Sequence, residues 1–135
     1  MKMKNTVLLN SEISFAVARM GHTDTLVICD AGLSIPKGPE RIDLAVTKGI
    51  PTFLSVLESV LSELEVQKIT IASEMKKENS SLYDRVVSEF SGRGIEIVEV
   101  SHLQFKKLTK SAFAVVRTGE FSPFANIILE AGVTF

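Results

Sequence analysis

Leu26-Val27-Ile28-Cys29-Asp30-Ala31-Gly32 is a run of four apolar residues with no polar interruption, stopping at a carboxylate and an Ala-Gly pair. A continuous apolar run of this length predicts a strand covered on both faces, the environment of a parallel sheet between helical layers. Asp30 then stands where the strand opens into a loop. Upstream, Asn10 can cap a helix that places Ile13, Ala16, Val17 and Met20 on one face, with Gly21 as its stop. His22 falls just past that stop, in Gly21-His22-Thr23-Asp24.

Downstream the same alternation repeats. The stretch from Ser34 to Glu40 holds Pro36, Gly38 and Pro39 and reads as an irregular loop, with a strand expected over 41–46. Gly49 and Pro51 punctuate again before a long helix from Thr52, whose stripe is Phe53, Val56, Leu57, Val60, Leu61 and Leu64. A strand is expected over 68–73. A second helix carries Leu82, Tyr83, Val86, Val87 and Phe90, and a strand over 95–100 follows Gly92 and Gly94. Ser101 and Gln104 form a capping-box pair for a short helix through Leu108 that starts at His102, and two late strands are expected over 113–117 and 126–131. Strands alternating with helices predict an α/β fold: a single three-layer domain over residues 1–135, with a largely parallel sheet flanked by helices.

The 135 residues include 45% hydrophobic residues, enough for a substantial core, and no run approaches the length of a membrane span. Fifteen basic residues against sixteen acidic ones leave a net charge of −1 without a basic block, which argues against a nucleic-acid partner. The start, Met1-Lys2-Met3-Lys4-Asn5, leads into an apolar stretch too short for a signal peptide, so a cytoplasmic protein is expected. The single cysteine, Cys29, fits a reducing compartment and reads as a small core residue. Neither histidine has neighbours at ligand spacing, so no metal is expected. No glycine-rich loop of the dinucleotide or P-loop pattern occurs, which disfavours nucleotide cofactors.

What remains is acid–base and hydrogen-bonding chemistry. An imidazole can give and take protons near neutral pH, and His22 after a helix stop is expected to expose its ring near the strand mouths. Taken alone, a polar helix end that favours the macrodipole is the simpler account of Gly-His-Thr-Asp. Asp30 can grip two hydroxyls or merely form a turn before Gly32. His102, at the positive end of a helix dipole, is suited to staying neutral and accepting from a hydroxyl, or is simply an exposed helix-start residue. In the segment from Arg117 to Asn126, Asn126 can donate and accept at once, while Phe124 can stack on a ring face or fill core space. Lys106, one turn from His102, can share its surface.

Taken together, Gly21-His22-Thr23-Asp24, Asp30-Ala31-Gly32, Ser101-His102 with Phe105-Lys106, Arg117-Thr118-Gly119-Glu120, Pro123 to Asn126 and the terminal Ala131-Gly132-Val133-Thr134-Phe135 resemble the D-ribose pyranase family, which is related to fucose mutarotases. The resemblance spans almost the whole chain. It implies interconversion of the pyranose and furanose forms of free ribose, without metal or organic cofactor, in a homodecamer of two stacked pentamers. It further implies that His22 is the proton donor and that Asp30, His102, Phe124, Ala125 and Asn126 bind the sugar. The family usually has tyrosine where this chain has Phe124, a difference that removes one hydroxyl. Two rival functions are a fucose-type anomer mutarotase and a non-catalytic sugar-binding module. Separately, the apolar end Val133-Thr134-Phe135 suggests docking, either internally or on a neighbour.

Overall fold

The computed structural model describes residues 3–135. Its six strands are β1 (Thr25–Cys29), β2 (Glu40–Asp43), β3 (Val66–Ala72), β4 (Glu96–Val100), β5 (Ala114–Arg117) and β6 (Ile127–Ala131). They form one sheet in the order β2-β5-β1-β6-β3-β4. The apolar run behaves as expected. Leu26, Val27, Ile28 and Cys29 are fully buried, and β1 pairs in parallel with β5 on one side and antiparallel with β6 on the other. Burying each such large apolar side chain contributes about 1.5–3 kcal/mol.

Alternation along β1 sends Leu26 and Ile28 to one layer and Val27 and Cys29 to the other. The larger layer packs against helices α1 (Ser11–Arg19), α2 (Phe53–Leu61) and α4 (Ser80–Ser91), through Ile13, Phe53, Leu57, Val86 and Phe90. On the other face Phe105 of α5 (His102–Leu108) covers Val27, Cys29 and Val115. A four-residue helix, α3 (Met75–Glu78), and a 3-10 turn over Thr109–Ser111 complete the chain. The three-layer α/β arrangement predicted from the alternation of elements is therefore present.

The differences are local and have physical causes. The sheet is mixed: β2, β5 and β1 run parallel, as do β3 and β4, but β6 runs antiparallel to both of its neighbours. The second strand ends at Asp43 rather than at 46, because the Asp43 carboxylate itself accepts from the amide of Ala45. The helix from Thr52 ends at Leu61, and Leu64 reaches the core from the turn beyond it. Asn10 does cap α1, accepting from the amide of Ile13 at 2.9 Å. Gly21, however, does not act as a left-handed stop; the chain leaves the helix at an extended Met20, and the left-handed residue is Thr23 (φ 73°). Among the described residues no helix is long and apolar enough to cross a membrane.

Candidate active site

The carboxyl end of β1 and the amino end of antiparallel β6 lie side by side, and this juxtaposition joins Asp30 to Asn126. Asn126 is 1% exposed and uses its whole amide on Asp30: Oδ1 accepts from the Asp30 amide at 2.8 Å, and Nδ2 donates to Oδ2 at 3.4 Å. The other carboxylate oxygen of Asp30 accepts from the amide of Gly32 at 3.0 Å. Burial pushes the Asp30 carboxyl above its ordinary value, against the lowering effects of the Gly32 and Leu33 amides, of Asn126 and of nearby His102. The same burial, reinforced by the charge of Asp30, drives the Cys29 thiol up to about 12, so that cysteine is inert packing.

His102 opens α5 as expected, with Ser101 accepting from the amide of Gln104. The carboxylate of Glu74 takes the His102 amide at 3.0 and 3.1 Å, and that bond lowers the Glu74 carboxyl below its usual range. The His102 ring meets Phe124 edge-on at 5.1 Å and stacks at 6.4 Å on Phe105. Its Nδ1 is buried without a hydrogen-bond partner among the described residues. Phe124 adopts the left-handed conformation (φ 56°), a geometry uncommon for a bulky residue and characteristic of functional segments. Ala125 is fully buried in the main core.

The segment Arg117 to Glu120 wires this mouth together. Arg117 donates from Nε to the Ala31 carbonyl and from a guanidinium nitrogen to both oxygens of Asp43. Thr118 donates its hydroxyl to the Cys29 carbonyl. At Gly119 a Cβ would stand 2.4 Å from the Ile50 carbonyl oxygen, so no other residue fits without moving backbone. Glu120 accepts from the amide of Phe53, the first residue of α2, and from the Ser122 hydroxyl. An open cleft of about 320 Å³ beside these residues is bounded by Asp30, Gly32, Arg117, Phe121 and Pro123. Lys106 is exposed on α5; its carbonyl accepts from the Thr109 hydroxyl, and its ammonium makes no hydrogen bond among the described residues.

His22 is elsewhere. It precedes β1, whereas Asp30 follows it, and the strand between them covers about 13 Å. The expectation that its ring lies by the mouths of the parallel strands is therefore corrected: it lies at the opposite end of the strands, where antiparallel β6 ends and β3 begins. There Thr23 donates its amide to the Ala131 carbonyl at 2.9 Å, and the exposed His22 ring approaches Gln67 with Nε2 to Oε1 at 3.0 Å. Gln67 and Glu74 carry no motif that would single them out, since one lies in a strand irregularity and the other in the turn just before a four-residue helix that periodicity cannot reveal.

The sequence profile of the RbsD / FucU transport protein family matches residues 3–134. The chain belongs to the RbsD / FucU family. It is 54% identical over 133 residues to a D-ribose pyranase of Thermoanaerobacter sp., and 50% identical over 135 residues to a D-ribose pyranase of Rhodopirellula baltica. In both comparisons 98% of this chain and 100% of the relative are covered. Among solved structures, Bacillus subtilis RbsD complexed with D-ribose is 44% identical with a TM-score of 0.93, each chain covered at 100%. A fucose mutarotase from Streptococcus pneumoniae in complex with L-fucose shares the fold with a TM-score of 0.80 at 23% identity, covering 98% of this chain and 99% of its own.

Proposed function

We propose that this chain is a D-ribose pyranase, an isomerase that interconverts the pyranose and furanose forms of free ribose. The observation that carries the reading is the polar cluster at the β1/β6 mouth, in a chain that superposes end to end on a family member complexed with D-ribose. Ring opening needs one group to take the proton from the anomeric hydroxyl and another to protonate the ring oxygen as the bond from that oxygen to the anomeric carbon breaks. The aldehyde recloses through a different hydroxyl, no atom is gained or lost, and no cofactor is required. Acid–base assistance of this kind is worth roughly 10²–10⁴-fold.

In this reading Asp30 and His102 hold sugar hydroxyls, and a bound hydroxyl would give the buried His102 Nδ1 its missing partner. Phe124 covers a sugar face, the Ala125 backbone lines the site, and Asn126 holds the Asp30 carboxylate. His22 serves the ring oxygen. Because His22 and Asp30 stand at opposite ends of one strand, the histidine comes from a second copy of the chain, and the site lies between subunits. A ring-shaped homodecamer of two stacked pentamers supplies such contacts, and the exposed Val133 and Phe135 at the His22 edge offer apolar surface for one. We read residues 1–135 as one sugar mutarotase domain acting on ribose in the cytoplasm, where the single cysteine, Cys29, stays reduced.

The test is exchange NMR of ribose with intact protein and with His22→Ala. Intact protein should broaden the pyranose and furanose signals by exchange, and the variant should lose that effect by at least about tenfold. Unchanged exchange would remove His22 from the mechanism. Phe124, lacking the hydroxyl of the tyrosine usual at its position, favours one comparison in the same spectra: faster exchange of fucose than of ribose would assign the fucose-type reaction instead. Binding without exchange of either sugar would leave a non-catalytic module.

A further inference from the structure

β3 contains one irregularity. Val66 pairs with Ala131 and Lys68 pairs with Glu130, leaving Gln67 as an extra residue in the ladder. A bulge sets two consecutive residues against one on the facing strand and re-aims a side chain. Here both reach the same carboxylate: Gln67 Nε2 donates to Glu130 Oε2 at 2.7 Å, and the Lys68 ammonium lies 3.6 Å from Oε1. The end of β6 also packs on the Gln67 stem, since a Cβ at Gly132 would stand 3.2 Å from Gln67 Cβ.

The donor and acceptor inventory decides the rest. A carboxylate only accepts, so the amide nitrogen of Gln67 must face Glu130 and its oxygen must face His22. That oxygen also only accepts. The 3.0 Å contact therefore requires Nε2 of His22 to carry a hydrogen, leaving the lone pair of the neutral ring on Nδ1. Among the described residues Nδ1 makes no hydrogen bond, while the backbone beside the ring is pinned by the bond from Thr23 to Ala131.

We propose that Gln67 and Glu130 are positioning residues that fix the His22 tautomer and make Nδ1 the nitrogen that exchanges protons with the sugar. This rests on the reading of His22 as the proton donor. On opening, the doubly protonated ring gives its Nδ1 proton to the sugar ring oxygen as the bond to the anomeric carbon breaks, and the anomeric hydroxyl releases its proton to water. On closure the attacking hydroxyl returns a proton to Nδ1, and the new anomeric oxygen takes one from water. Nε2 keeps its hydrogen throughout, so no tautomer exchange delays turnover. A bulge that only accommodated a twist would not need an amide of fixed orientation.

The experiment is long-range ¹H–¹⁵N NMR of full-length, histidine-labelled protein at a pH where the His22 ring is neutral, together with ribose exchange kinetics. The expected spectrum is the Nε2–H tautomer. Glu130→Gln frees the Gln67 amide to turn, so mixed tautomers and a kcat lower by on the order of tenfold with little change in KM are expected. Combining it with Gln67→Glu restores an acceptor towards His22 held by an amide at 130, and should restore both the tautomer and kcat. An Nδ1–H tautomer in the intact protein, or a Glu130→Gln protein with unaltered tautomer and kcat, would overturn the proposal. The tautomer is read without activity, so failure here is distinct from failure of the ribose reaction, which the His22→Ala exchange measurement decides.

Discussion

At the scale of single residues, Asp30 is where binding chemistry and stability oppose each other. Its carboxyl sits above the ordinary value in the folded chain because burial disfavours the charge. Between the unfolded value, 3.8, and that raised value the folded state binds more protons, so raising the pH through this window lowers stability; below it the penalty is absent, and above it the penalty is constant. Asp30→Asn removes the titration. Its stability relative to the parent should therefore rise as pH increases from about 3.8 and then level off, as measured by urea unfolding at a series of pH values. The same variant should bind ribose far more weakly. Phe124→Tyr makes the converse test: the left-handed backbone accepts tyrosine as readily as phenylalanine, so the added hydroxyl should speed ribose exchange with little change in unfolding midpoint.

The elements show which parts of the architecture are legible in sequence and which are not. Burial on both faces of β1 follows from four apolar residues in a row, and α1, α2, α4 and α5 follow from stripes and from caps at Asn10 and Ser101. The antiparallel direction of β6 was not legible, because an apolar strand reads the same in either direction. It carries the chain end back to the amino end of β1, where β1 itself, lying between His22 and Asp30, places the histidine. Nor could spacing disclose that the Arg117-Thr118-Gly119-Glu120 motif wires the site together: each of those residues acts through a carbonyl or amide distant in sequence. Glu120 bridges the amide of Phe53 at the start of α2 to Ser122 in the loop that leads to Phe124. Replacing it by glutamine keeps one acceptor but loses the charge at a helix N-terminus. Glu120→Gln should cost about 1–2 kcal/mol in denaturant unfolding and loosen sugar binding, both without altering α2 itself.

For the whole molecule, the proposed role of His22, separated from Asp30 by β1, would make activity a property of assembled chains. His22→Ala and Asp30→Ala proteins should each be inactive alone. Co-assembled in equal amounts they should regain roughly a quarter of the parent exchange rate, because one chance pairing in four joins an intact histidine to an intact carboxylate. Persistent inactivity of mixed oligomers, confirmed as mixed by mass spectrometry, would place the whole site within one chain. The span of β1 also has an arithmetic consequence. By holding His22 and Asp30 at opposite ends of the strand, it gives, under the proposed shared site, every open head-to-tail row of copies one idle histidine at its first end and one idle pocket at its last. A row of n chains then has n−1 working sites, and only a closed circle leaves none unused. Specific activity should accordingly fall on dilution in step with the loss of closed assemblies.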